Sequence, residues 1–268
     1  MPGSHPIVLL LVAVLLGFCP QAPAARPAVA FDHSHAAWTA VLKKAVVGDR
    51  IDYGALKKDH AELDGYLKTL HAVNPEELGA WTRSQQFAFW INAYNAHCIS
   101  LVVSEYPVES IKDLGSLLSP VWKKQFIDMP DLHLSGKPKK LSLHDIEHEI
   151  LRPQFKDARV HAAINCASES CPPLRAEAFV ATRLEEQLDA QVRAWLADKA
   201  RNRFDSVKRR ASVSAILEWF EDDFVRDGGS VAGWLAKYAP ETEAAWLKGG
   251  KVDLHSQDYS WKLNDLKR

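Results

Sequence analysis

Two cysteines with four residues between them, Cys166 and Cys171, stand in the segment AAINCASESCPPL that runs from Ala162 to Leu174. A cysteine nucleophile acts as its thiolate, so its pKa must be lowered by an imidazolium, a helix amino end or oriented backbone donors. The apolar run Val160 to Ile164 predicts a short buried strand that ends at Cys166. Ala167, Ser168, Glu169 and Ser170 cannot continue it, and Pro172 and Pro173 remove two backbone donors and force an extended exit. The resulting loop presents two sulfurs and suits a nucleophile, a disulfide or a metal.

The base for such a thiol is sought in His148 and His161. On an extended strand His161, five residues before Cys166, points to the opposite face, which favours His148. The pattern Ser142-x-x-Asp145 caps a helix that runs to Leu151 and stops at Arg152-Pro153. Near its end a protonated His148 gains a few tenths to about 1 kcal/mol from the dipole. Asn92 and Asn95 share one face of a helix and either orient the histidine, donate to an oxyanion or bond the backbone of a neighbouring loop. Glu147 could fix a histidine tautomer, although a carboxylate on a helix surface is ordinarily solvated.

Three other chemistries compete. A Cys166–Cys171 disulfide is permitted if the loop curls, and a reversible bridge could protect a reactive thiol until reduction. His144-Asp145-Ile146-Glu147-His148 fits the H-x-x-E-H pattern of a zinc peptidase, without a third ligand to name. Cys166 and Cys171 with a histidine could also bind zinc, against competing oxidation. Cys98, on an apolar helix, reads as a buried core thiol. The residues nominate no cofactor.

These groups need elements to hold them. Thr82-x-x-Gln85 opens a central helix from Gln86 to Val103, ended by Pro107. Phe31 to Val47 and Leu56 to Leu70 show helical spacing around a turn or short strand at Asp52-Tyr53-Gly54. A hairpin is expected from Phe126 to Leu134 around Pro130 and Asp131, and Lys137 to Lys140 reads as an exposed loop. Helices follow at Thr182 to Leu196, Ser214 to Val225, Val231 to Tyr238 and Glu241 to Leu247. Strands are expected in a hairpin near Phe204 to Val213 and at Lys251 to Leu254. Helices outnumber strands without strict alternation, so the fold class is α+β, a mainly helical single domain with a small β-sheet.

With 47% hydrophobic residues in 268, the chain can bury one large core, and its net charge of -1 gives no reason to expect nucleic acid or an anionic membrane as partner. Ile7 to Phe18 is apolar but too short to span a bilayer, and Ala22-Pro23-Ala24 follows as a small-x-small cleavage pattern. Residues 1–24 are read as a secretory signal peptide and 25–268 as the mature domain, placed in a periplasm or outside the cell. Cys98, Cys166 and Cys171 remain after cleavage, and an odd count leaves one thiol unpaired in a monomer.

Ile51-Asp52-Tyr53, Phe89 to Ala96, Tyr106-Pro107-Val108, Leu141-Ser142-Leu143, Asp145 to His148, Ile150-Leu151-Arg152 and Arg159 to Ala162 follow one another along the chain. Asn165-Cys166, Ser170 to Leu174, Asp258 to Trp261 and Leu263-Asn264 complete the series. Taken in order, these separated segments resemble the family named domain of unknown function 547. The resemblance covers nearly all of the mature chain and brings with it an expected similarity to papain-like or transglutaminase-like thiol enzymes. Position 144, a histidine here, is usually acidic in the family, which sets His144 apart from any shared role. The leading expectation is an exported thiol-dependent hydrolase or acyl transferase acting on peptide or amide bonds. Its rivals are a non-catalytic envelope binding domain stapled by Cys166 and Cys171, and a zinc peptidase.

Overall fold

The computed structural model describes residues 30–116, 118–129 and 140–267. The expected signal peptide and the tip of the expected hairpin at Pro130 and Asp131 lie outside the described residues, as do residues 137–139 of the expected basic loop. Phe31–Arg268 forms one compact unit, and the separate unit Met1–Ala30 is described only at Ala30. No helix among the described residues is long and apolar enough to cross a membrane.

The first layer is a run of short helices: α1 (Ala36–Ala45), α2 (Tyr53–Lys58), α3 (Ala61–His71) and α4 (Pro75–Ala80). Strands β1 (Val46–Val47) and β2 (Arg50–Ile51) form an antiparallel ribbon between α1 and α2. The expected long helix from Leu56 to Leu70 is two helices, because Asp52 caps α2 by accepting from Ala55 N and the chain turns at Asp59 before α3 begins. Apolar spacing continues across that turn and does not reveal it. Asn74 caps α4, which carries no fully buried residue and so gave no apolar stripe to read.

At the centre lies α5 (Arg83–Glu105), opened by the Thr82 and Gln85 capping box and buried all round from Phe87 to Ile99. A helix apolar on every face has to be surrounded. The π-helix Asp145–Phe155 packs against it. Its start is capped as expected, with Ser142 N and Oγ each donating to Asp145 Oδ2 at 2.8 Å. It does not stop at Arg152-Pro153. Pro153 removes one N–H from the last turn, and Arg83 Nη2 caps the carbonyl of Phe155.

Val160–Ala163 is a single helical turn, α6, where the sequence predicts a strand. Three apolar residues around His161 fit either conformation, and the backbone bond from Ile164 N to Val160 O decides for the helix. Then come α7 (Leu184–Ala197), the antiparallel strands β3 (Arg203–Asp205) and β4 (Arg210–Val213), and two helices in place of the expected one. These are α8 (Ile216–Trp219) and α9 (Glu221–Gly228), separated at Phe220, with Gly229 at φ 75 ending the second. α10 (Val231–Tyr238) and α11 (Glu241–Lys248) precede β5 (Asp253–Ser256), which lies parallel to β4. The result is α+β and mainly helical. The chain ends by lacing back through the molecule, with bridges from Leu263 to Ser168, Lys262 to Ser110 and Asp265 to Ile51.

Candidate active site

The π-helix, α6 and the α8–α9 junction wall a cavity of about 170 Å³ that also receives Cys166 and Cys171. Around it stand Glu147 and His148 from the π-helix, His161 from α6, and the aromatic rings of Trp122, Trp219, Phe220, Tyr259 and Trp261. The helical turn at Val160–Ala163 is what places His161 here. On the strand predicted for that segment, its side chain and Cys166 diverge.

His161 Nε2 lies 2.8 Å from Asp223 Oδ2, and both side chains are buried. Burial opposes ionisation of Asp223, but hydrogen bonds from His161 and Arg152 reverse that and hold its carboxyl below the usual range. An ionised carboxylate only accepts, so Nε2 carries the proton and Nδ1 is the basic nitrogen of the neutral ring. Burial lowers the pKa of His161 against the pull of Asp223. Arg152 Nε and Arg226 Nη1 complete the Asp223 shell at 2.6 and 2.7 Å.

His148 Nδ1 lies 3.0 Å from Arg152 Nη1. A guanidinium has no acceptor, so it donates, and neutral His148 carries its proton on Nε2. Burial, then His144, Arg152 and His161, lower its pKa to about 4. The expected stabilisation of an imidazolium at the helix end is thus overturned. Desolvation and three basic neighbours outweigh a dipole worth about 1 to 2 kcal/mol. Glu147 is not a solvated surface carboxylate either. It lines the cavity, accepts a long 3.4 Å bond from Tyr94 OH, and burial raises its pKa to about 7 against Arg152 and that bond.

Cys166 and Cys171 are joined in a disulfide with their Cα atoms 6.2 Å apart. Ser168 Oγ and Tyr259 OH lie 3.2 and 3.1 Å from Cys166 Sγ. Ser168 donates to Tyr259 at 2.8 Å, which leaves the phenol proton for the sulfur. Ala167 follows at φ 62, a left-handed conformation that costs a residue with a Cβ roughly 1 kcal/mol or more. Asn165 holds it there: its Oδ1 accepts from Ala167 N at 2.8 Å, and its Nδ2 donates to Pro172 O at 2.8 Å. Buried Arg201 donates to the carbonyls of Cys171 and Glu169 at 2.7 and 2.6 Å.

The two central-helix asparagines do not line the cavity. Asn92 exchanges a pair of bonds with the Phe179 backbone, at 2.7 and 3.0 Å. Asn95 donates to Ala163 O at 2.9 Å and accepts from Asn165 N at 2.8 Å, spanning the turn before Cys166. Cys98 is a buried free thiol whose pKa is raised by burial. The zinc pattern gains no support from the donor set. His144 and His148 have ring centroids 4.3 Å apart, but the Arg152 cation occupies His148 Nδ1. No group of three or more His, Cys, Asp or Glu among the described residues is arranged to hold a metal ion.

Residues 78–196 match the family described as protein of unknown function, DUF547. The chain carries a domain of the DUF547 family. No curated protein and no solved structure matches the chain. The matched span of the DUF547 domain contains α5, the π-helix, α6 and the cysteine loop. Asp223 and Tyr259 come from beyond it, and sequence reasoning assigned neither a role. Tyr259 stood in a segment of the family resemblance, whereas Asp223 left no local signal because its histidine is 62 residues away.

Proposed function

We propose that the protein is an exported thiol-dependent hydrolase or acyl transferase acting on peptide or amide bonds, latent while Cys166 and Cys171 are bridged. The observation that carries this reading is that Cys166 and the Asp223-paired His161 border one cavity. Export is the reading of the apolar run Ile7 to Phe18 with Ala22-Pro23-Ala24, and a disulfide is compatible with an oxidising compartment.

An external dithiol reduces the bridge and is itself oxidised to a disulfide. His161 Nδ1 then takes the Cys166 proton, with Asp223 stabilising the imidazolium. This reverses the order expected from sequence, since His148 keeps its proton on Nε2 and so serves as a donor to a developing oxyanion. The thiolate attacks the substrate carbonyl, the amine leaves with the proton from His161, and water or a second amine resolves the thioester. Glu147 takes no part in this step. The bridge itself favours a second reading, a stapled domain that binds without catalysis.

p-Nitrophenyl acetate, a general acyl donor, tests the proposal. After reduction, a burst of p-nitrophenolate and an acetyl group on the Cys166 peptide are expected, both absent from Cys166→Ala and from the bridged protein. Equal acetylation of Cys166→Ala, or none in protein shown to be reduced, contradicts it and leaves the binding domain.

A further inference from the structure

Glu147 is a half-buried carboxyl in the cavity wall that the acyl-transfer step does not use. Among the described residues its one bond from a side chain is the long contact from Tyr94, although an ionised carboxylate has room for about four donors. Arg152, the nearest cation in the same helix, is committed to Asp223 at 2.6 Å and to His148 at 3.0 Å, and its guanidinium lies 4.8 Å from the Phe220 centroid. Four rings of the lining, Trp122, Trp219, Tyr259 and Trp261, form a continuous aromatic surface. Trp261 lies 5.7, 5.8 and 4.6 Å from the rings of Trp122, Trp219 and Tyr259. Its ring already carries the Lys112 ammonium at 4.1 Å, so the chain itself uses this wall for a cation. An under-bonded carboxyl in a cavity lined by π surfaces is the environment that recognises a small organic cation. A volume of about 170 Å³ admits a group the size of a benzene ring.

We propose that the cavity binds a primary ammonium group, held by Glu147 against the Trp122, Trp219, Tyr259 and Trp261 wall, so that the substrate of the acyl-transfer reading presents a free amine beside its reacting bond. This specificity rests on that reading for its meaning in catalysis, but amine binding is measurable without any chemistry. Ammonium binding needs Glu147 ionised. The titratable and charged groups around it are Tyr94 and Cys98 on α5, Arg152 and His148 on its own helix, His144 at the start of that helix, His161 on α6, Asp223 on α9 and Tyr259 from the C-terminal segment. Asp223 is already ionised, burial pushes Cys98 and Tyr259 up and out of this range, and the pKa of His148 lies well below 6.

The test uses the full chain with its bridge intact, benzylammonium as probe and benzyl alcohol as its neutral counterpart, read by tryptophan fluorescence. At pH 8 the amine is expected to bind at least tenfold more tightly than the alcohol, and Glu147→Gln to reduce that preference below about twofold. Should that variant fold poorly, the unaltered protein decides. Its affinity for the amine rises about tenfold from pH 6 to pH 8, following the ionised fraction of a carboxyl near 7, and the rise persists in His144→Asn. Equal affinity for amine and alcohol, no binding of either, a preference that survives Glu147→Gln, or a flat pH series overturns the proposal. Because Cys166 is bridged throughout, these outcomes leave the thiol reading standing, and failure of acetylation leaves amine binding standing.

Discussion

His161 Nε2 and Asp223 Oδ2 meet at 2.8 Å across 62 residues of chain, joining a one-turn helix in the wall of the cysteine cavity to a carboxylate on α9. The contact fixes the histidine tautomer, and the bonds from His161 and Arg152 keep the carboxylate charged.

Asp223→Asn retains the shape but removes the charge that orders this pair. Acetylation of reduced protein by p-nitrophenyl acetate is expected to fall roughly a hundredfold or more. Arg152 and Arg226 lose their shared partner, so urea unfolding is expected to register a loss of about 3 kcal/mol. A variant that loses stability while acetylating at the original rate assigns Asp223 to the scaffold alone.

Stability should depend on pH through two opposing groups. Burial lowers His35 and His148 to about 4 and His97 to about 3 from an ordinary 6.5. The unfolded chain binds more protons in that interval, so these histidines contribute fully above 6.5 and their contribution is lost as pH falls towards 4. Glu147 has the reverse sign: its folded pKa of about 7 lies above 4.5, and stability falls as pH rises between those values. Three histidines outweigh one carboxyl, so Tm should climb from pH 4.5 to 6.5. Glu147→Gln should steepen that climb and raise stability at pH 8 by on the order of 2 to 3 kcal/mol. A Tm unchanged by the substitution at pH 8 contradicts the burial of Glu147.

Asn92→Ala and Asn95→Ala should separate packing from positioning. Each strands buried backbone groups and costs about 1 to 3 kcal/mol. Only Asn95 touches the turn that leads into Cys166, so only its variant should change the rate at which reduced Cys166 is acetylated in still-folded protein. Equal effects of the two on that rate contradict the distinction.

Much of the architecture was legible because it is local. The capping boxes at Thr82 and Ser142, the all-round burial of α5 and the break at Gly229 depend on residues within a few positions of one another. The hairpin of β3 and β4 announced itself in the same way. Val160 to Ile164 was misread because four apolar residues carry no period, and the error sent His161 to the wrong face. The fusion of α2 with α3, and of α8 with α9, has the same origin, as apolar spacing runs on through a turn. Cys166, His148 and His161 were visible as residue types, but their protonation was not. It depends on Arg152, Asp223 and burial, which only the folded chain brings together. The segment Asp258 to Asn264 that lines the cysteine loop was visible in sequence only through the family resemblance, and its pairing of Leu263 with Ser168 was not.

The central claim is that opening the bridge exposes a reactive sulfur at Cys166. Iodoacetamide labelling of phosphine-reduced protein at pH 6, followed peptide by peptide against glutathione, tests it most directly. Cys166 is expected to alkylate faster than glutathione while buried Cys98 stays unlabelled. A Cys166 that alkylates no faster than glutathione at that pH contradicts the account.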